Sequence, residues 1–129
     1  MALHRIVTLT ARALRLRCPH CGGGPLFTSW FRMRDCCPKC RLRFERGEQG
    51  YIVGAYMFNI IAAELLLAAL AAGVVAATWP SPPWTALQWG GAALMIAAPL
   101  VCYPFSKTLF LAFDLMFRPP QPEDFCPPT

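Results

Sequence analysis

The chain divides near Gly50 into a polar half and a strongly apolar half. The segment 51–78 carries one formal charge, Glu64, and no proline. A helix needs about 20 mostly apolar residues to cross a bilayer, so this run predicts a transmembrane helix. A second apolar run covers 85–113 and is also long enough to cross. The pattern therefore predicts two transmembrane helices.

The connection between the two runs, residues 79–84, reads WPSPPW. Its prolines cannot continue a helix, and Trp79 and Trp84 suit the headgroup region of a bilayer. So short a turn predicts an antiparallel helical hairpin. As a soluble protein, such a chain would be mostly core with nothing to cover it. We therefore favour a membrane all-α hairpin joined to a small N-terminal module.

Charge predicts the orientation of the hairpin. Ten of the twelve Lys and Arg precede the first apolar run, and the 79–84 turn has none. Lys107 and Arg118 lie towards the far end of the second run. By the positive-inside rule, both termini are expected in the cytosol and the turn outside.

The polar half contains two C-x2-C knuckles, Cys18–Cys21 and Cys37–Cys40, with 15 residues between them. This spacing is typical of four-cysteine zinc sites, in which two tight turns supply four thiolates to a tetrahedral ion. We predict a structural zinc ribbon with short β-strands over 18–46. Four thiolates also suit iron, which is the less favoured metal. The glycine run 22–24 is expected to adopt positive φ angles.

The other three cysteines have no obvious role in this pattern. Cys36 would form a C-x3-C pair with Cys40, which matches the zinc pattern less well than the C-x2-C pair of Cys37 and Cys40. Cys36 is therefore interpreted as a bystander. Cys102 is interpreted as a small apolar residue and Cys126 as a free thiol. A reducing cytosol argues against disulfides. His20 lies between two ligands and is not assigned as one.

The two ends of the chain differ in character. Residues 1–17 alternate apolar and basic positions without an uninterrupted apolar core, so they do not resemble a secretory signal. They predict either an amphipathic helix on membrane lipid or a solvated basic arm, and we favour the helix. The tail 118–129 is rich in proline and is expected to be extended or disordered.

Four polar residues of the apolar half are candidates for interactions within the membrane: Asn59, Glu64, Tyr103 and Lys107. If residues at the same depth in the bilayer face each other across the antiparallel hairpin, Glu64 lies near the Tyr103 hydroxyl. By the same reasoning, Asn59 lies near Ser106 or Lys107. The candidates form either a proton or ligand site or packing contacts. Two helices cannot enclose a pathway alone, so we favour packing between helices or onto a partner.

Proline and small residues predict the shape of the hairpin. Pro99 and Pro104 lie within the second apolar run, where each removes a backbone hydrogen bond and favours a kink. Ala69 and Gly73 are four residues apart, a spacing that permits close helix contact in membranes.

Four stretches of the chain resemble a known bacterial membrane family. They are CPHCGGGPLF at 18–27, CCPKC at 36–40, FERGEQGYIVGAYMFN at 44–59 and YPFSKTLFLAFDLMFRPP at 103–120. Together they are similar to the family catalogued as domain of unknown function 983, over roughly 15–120. The chain departs from the pattern at Arg41, where the family usually has glycine. A side chain there is expected to strain the second knuckle without removing a ligand.

The resemblance implies a bacterial cytoplasmic membrane protein with no established enzyme activity. Genes of the family are often found near those for cytochrome c oxidase subunits and assembly factors. It therefore implies an accessory or assembly role for a respiratory or other energy-transducing membrane complex.

Three functions remain open from the sequence. The leading one is a non-enzymatic protein that docks on a larger membrane complex. The second is a metal carrier, although four closed thiolates argue against it. The third is a membrane-tethered nucleic-acid binder, because residues 1–50 carry about +7 (10 basic minus 3 acidic); basic clusters beside a membrane more often reflect topology. No small-molecule substrate is identified, and no nucleophile–base pair or phosphate loop suggests an enzyme.

Overall fold

In the computed structural model, which describes residues 1–46 and 49–128, helices dominate the chain. Helix α1 covers Ala2–Leu14, helix α2 Gln49–Thr78 and helix α3 Trp84–Phe117. Strands β1 (Phe27–Ser29) and β2 (Arg32–Met33) pair antiparallel, and a single 3₁₀ turn covers Pro122–Asp124. The predicted combination of a membrane helical hairpin and a small N-terminal ribbon is confirmed.

Helices α2 and α3 form the hairpin, and both are long and apolar enough to cross a membrane. Helix α3 ends at Phe117 and not at residue 113, the expected end of the second apolar run. The helix can continue through Asp114 because that carboxylate is paired, as described below. It stops at Arg118, which is extended (φ −122°, ψ 93°), because a residue that precedes proline avoids the helical region.

The two long helices are in tight contact at the end that carries the ribbon. Here the ring of Phe110 occupies the space in which a side chain at Gly54 would lie. Tyr51 and Phe58 flank the same ring, with centroid distances of 5.0 and 5.6 Å. In contrast, a Cβ added at Gly73 would meet nothing within 4 Å, so the close contact expected there is absent.

The ribbon shares one hydrophobic core with the end of α3. Leu26, Leu42 and Phe44 of the ribbon are fully buried against Leu111 and Leu115 of the helix. A ribbon of this size cannot bury enough apolar surface by itself, and α3 supplies the missing surface. The last part of the second apolar run therefore faces protein.

Helix α1 covers a neighbouring face of α3. Its residues Leu9 and Ala13 are buried against Ala112. One apolar face of this predicted amphipathic helix therefore packs against α3 within the chain. Other apolar side chains of α1, including Leu3 and Val7, stay exposed.

Candidate metal centre and polar contacts of the hairpin

The two cysteine knuckles have the same backbone geometry. In the first, the Gly22 N–H donates to the Cys18 carbonyl (2.7 Å); in the second, the Arg41 N–H donates to the Cys37 carbonyl (3.0 Å). The donor residue has a left-handed φ in each case, +70° at Gly22 and +63° at Arg41. Such a φ costs a residue with a side chain roughly 1–2 kcal/mol. Arg41 therefore occupies a position that favours glycine, in agreement with the strain expected there.

The glycines after the first knuckle serve two different purposes. Positive φ was expected throughout 22–24, but of these three glycines only Gly22 adopts it. At Gly24 the reason for glycine is close approach, because an added Cβ would lie 2.9 Å from Pro38 and 3.2 Å from the Cys37 Sγ. This glycine lets the second knuckle close onto the first.

The four knuckle cysteines come together at one point. Their Sγ atoms all lie within 4.8 Å of one another. The Cys18–Cys40 and Cys21–Cys37 sulfur pairs are 3.7 and 3.6 Å apart. A tetrahedron with Zn–S bonds of about 2.3 Å has sulfur–sulfur edges of about 3.8 Å. The donor set and its spacing thus fit a four-coordinate thiolate metal site.

Burial differs between the ligands. Cys18 and Cys37 are buried, whereas Cys21 and Cys40 are half-buried. Burial raises the pKa of Cys18 and raises the pKa of Cys40 to about 11. Burial also opposes ionisation of Cys21, but hydrogen bonds from the Gly23 N–H and neighbouring thiols outweigh it and lower its pKa to about 7. A metal must displace thiol protons here, so binding weakens as the pH falls.

Cys36 and Cys126 form a disulfide, which corrects their interpretation as a bystander and a free thiol. The bond joins the ribbon to the tail across 90 residues. The tail is extended but ordered, since Arg43 N–H donates to the Asp124 carbonyl and Cys126 N–H to the Arg41 carbonyl (both 2.8 Å). No local pattern in the chain signals a pairing this distant.

Arg46 is a structural residue that the sequence interpretation missed. Its side chain is 4% exposed and its Nη1 lies 3.2 Å from Asp114 and 3.7 Å from Asp124. The same atom donates to the Arg118 carbonyl (3.2 Å). Arg46 therefore joins the end of the ribbon, the end of α3 and the tail. The sequence offered one sign of this contact, because an acid at position 114, just beyond the second apolar run, needs a basic partner if it is buried.

Asn59 is buried between the helices. Its Nδ2 donates to the Pro99 carbonyl (3.1 Å), and its Oδ1 accepts from the Ser106 hydroxyl (3.4 Å). Ser106 was one of its two expected partners. Both ends of the amide are satisfied within the chain, as a buried amide requires.

Lys107, Tyr103 and Glu64 do not form a common cluster. Lys107 pairs with Glu45 of the ribbon (3.4 Å) and lies 5.1 Å from the centre of the Tyr103 ring. Tyr103 also packs on Phe31. Glu64 is exposed, and within residues 1–46 and 49–128 it has no hydrogen bond or ion pair. The expected Glu64–Tyr103 contact is therefore not formed.

Comparison with known proteins identifies the family. The family model described as "Protein of unknown function (DUF983)" matches residues 27–115. The chain belongs to this family. No curated protein and no solved structure matches it.

The segment matched to the DUF983 family contains the second knuckle, the hairpin and Asp114. Cys18 and Cys21 precede it, as does most of the CPHCGGGPLF stretch that suggested the family. Half of the candidate metal ligands therefore rest on the geometry of the four thiols and not on the family match.

Proposed function

We propose that this DUF983 protein is a non-enzymatic accessory or assembly protein that docks on a larger membrane complex. The hairpin would contact a partner within the bilayer, and the ribbon would hold the water-facing end of the hairpin rigid. A respiratory or other energy-transducing complex is the partner that the family resemblance favours. The bacterial cytoplasmic membrane is the corresponding location.

Glu64 is the observation that carries this proposal. The side chain is exposed on α2 and has no partner among the described residues. An acid inside a membrane span carries an insertion cost, which reaches about 2.5–3.5 kcal/mol at the helix centre. A polar or basic group of another membrane protein would offset this cost, so the residue supports a partner that approaches α2.

The test is gentle detergent extraction of the tagged protein from its native membrane, followed by mass spectrometry. We expect a membrane complex to co-purify, and Glu64→Ala to reduce its recovery several-fold. Leu65→Ala is the matched control, because Leu65 is the exposed neighbour of Glu64 on the same helix. Recovery that is unchanged by Glu64→Ala would contradict docking through this residue.

The metal centre is proposed to hold zinc in a structural role. Four protein thiolates complete a tetrahedral shell and leave no position for a substrate. Bound zinc would therefore supply folding energy to the ribbon. Elemental analysis of the purified protein tests the metal, with one zinc per chain as the expected result and iron as the result that would overturn it.

The ribbon and both termini are proposed to face the cytosol. The ten basic residues of the polar half favour this placement. The Cys36–Cys126 disulfide weighs against it, since disulfides are rare in the reducing cytosol. Reporter fusions at each terminus distinguish the two orientations, and a reporter active only outside the membrane would reverse the assignment.

A metal carrier is the second candidate, favoured by the partial exposure of Cys21 and Cys40. A carrier must release its ion to a competing ligand. Transfer of zinc to an excess of a soluble chelator within minutes at neutral pH would favour this function. Retention of zinc under the same conditions would favour the structural role.

A further inference from the structure

Both long helices exceed the thickness of a bilayer. Helix α3 has 34 residues, or about 51 Å at 1.5 Å per residue, and α2 has 30 residues, or about 45 Å. The hydrocarbon layer is about 30 Å thick and takes about 20 residues. About 20 residues counted from Trp84 reach Tyr103, and about 20 counted back from Trp79 reach Asn59. The inner boundary of the bilayer thus falls at Asn59 and Tyr103.

The ribbon reaches this boundary with the tip of its β-hairpin. Trp30 and Phe31 form the connection between β1 and β2. Trp30 lies against Phe105 (centroid distance 6.2 Å) and Phe31 against Tyr103 (5.5 Å). The two tip residues nevertheless remain 46% and 57% exposed. Two large aromatic side chains therefore project beside α3 at the level where the bilayer begins.

The polar group of Trp30 is already satisfied by α3. Its indole N–H donates to the Leu100 carbonyl (2.9 Å). That carbonyl has no helical donor four positions on, because the residue there is Pro104, which lacks an N–H. The indole N–H thus gains an acceptor, and the Leu100 carbonyl gains a donor. The exposed part of the tryptophan is hydrocarbon, which suits lipid better than water.

Charged side chains begin immediately beyond this level. Lys107, one turn after Tyr103, pairs with Glu45. Arg32, which comes directly after the tip, is exposed and can extend its charge towards headgroups. This order of apolar, aromatic and charged positions is that of a membrane interface.

We propose that the Trp30–Phe31 tip is seated in the headgroup–acyl boundary of the bilayer, where it joins Tyr56 and Tyr103 in an aromatic belt. The occupant of this surface is lipid. The inference rests on the proposed membrane placement of the hairpin. The ribbon is then positioned by the bilayer as well as by α3.

The experiment uses the full chain in phosphatidylcholine vesicles whose acyl chains carry bromine at either a shallow or a deep position. In a variant with Trp79→Phe, Trp84→Phe and Trp89→Phe, Trp30 is the remaining one of four tryptophans. These three side chains are exposed, so we expect the fold to tolerate their replacement. Shallow bromine should quench Trp30 about two-fold more strongly than deep bromine, as for interfacial tryptophan, and aqueous iodide should quench it weakly.

A second measurement does not depend on the triple variant. The quenching of the wild-type chain minus that of Trp30→Phe isolates the same signal, and it should show the same preference for shallow bromine. Quenching of Trp30 by iodide and not by brominated lipid would overturn the proposal and make the tip a surface for a protein partner. Failure of the membrane placement is a separate result, in which Trp79, Trp84 and Trp89 also escape quenching by lipid.

Discussion

The hairpin has two halves that depend on different surroundings. In the ribbon half (49–59 and 99–117), residues of both helices are buried, among them Tyr51, Asn59, Thr108, Leu111 and Leu115. In the turn half (60–78 and 84–98), Ala98 is the one buried residue among those that the structure describes. The ribbon half is thus stabilised by contacts within the chain, whereas the turn half presents its apolar side chains outward, as lipid-facing helices do.

This contrast explains why a metal ribbon is joined to two helices. Helices in lipid are not driven together by hydrophobic burial, so two helices alone hold each other weakly. Where the ribbon and α1 cover α3, water-driven burial acts again. The ribbon half therefore fixes the relative position of the helices, whereas the apolar side chains of the turn half remain largely exposed.

Loss of a metal ligand should produce the largest effect and should be confined to the ribbon half. Metal contributes about 10–16 kcal/mol in small zinc domains, so Cys37→Ser should abolish metal binding and unfold the ribbon. Hydrogen exchange in nanodiscs should rise in the ribbon half and stay unchanged in the turn half. Cys102→Ala, which removes a thiol away from the cluster, is the control. Exchange that rises equally in both halves would contradict the contrast between them.

Truncation of a core leucine should rank second. Leu111→Ala removes a fully buried side chain, and such changes cost about 2–5 kcal/mol. Leu65→Ala in the turn half removes an exposed one and should cost far less. Unfolding free energies measured in mixed detergent micelles compare the two variants. Equal losses would show that the two halves are packed alike.

A methyl group added between the helices should have an intermediate effect. Gly54→Ala meets the ring of Phe110, and overpacking costs typically about 1–3 kcal/mol. Gly73→Ala is the matched change in the turn half and meets nothing within 4 Å. The same unfolding measurement should therefore separate them. Destabilisation by Gly73→Ala would reveal a helix contact near the turn.

The smallest effect is expected from the buried amide. Asn59→Ala leaves the Pro99 carbonyl and the Ser106 hydroxyl without their partner. Hydrogen bonds between membrane helices average about 0.6 kcal/mol, and a loss of that size is expected in micelles. Glu64→Gln, which removes a charge without a partner in the described chain, should leave the unfolding free energy unchanged. A comparable loss from Glu64→Gln would place that residue in the fold.

Local patterns predicted the elements and the metal ligands. Continuous apolar runs identified α2 and α3, because only helices of this length satisfy their backbone in lipid. The spacing of Cys18, Cys21, Cys37 and Cys40 identified the cluster, because a C-x2-C turn places two thiols on one side whatever the rest of the chain does. The proline turn identified the reversal between the helices.

Contacts between distant segments were beyond these patterns. The Cys36–Cys126 bond, the pairing of Arg46 with Asp114 and the Trp30 contact to Leu100 each join residues far apart in the chain. The second apolar run was misleading near its end, at Leu111, since an apolar residue looks the same in the sequence whether it meets lipid or a ribbon. The expected contact between Glu64 and Tyr103 was similarly based on position along the helices. That position gives the depth of a side chain in the bilayer but not the side of the helix on which it lies.

The sequence alone was enough to establish two apolar helices, the turn between them and two pairs of thiols at metal-ligand spacing, since each depends on neighbours within a few residues. The folded molecule was needed to establish that the ribbon and α3 form one core, that the tail is bonded to the ribbon and that Glu64 is left exposed. The physical reason is that burial and pairing depend on which surfaces meet. That choice is made by the whole chain and not by any segment of it.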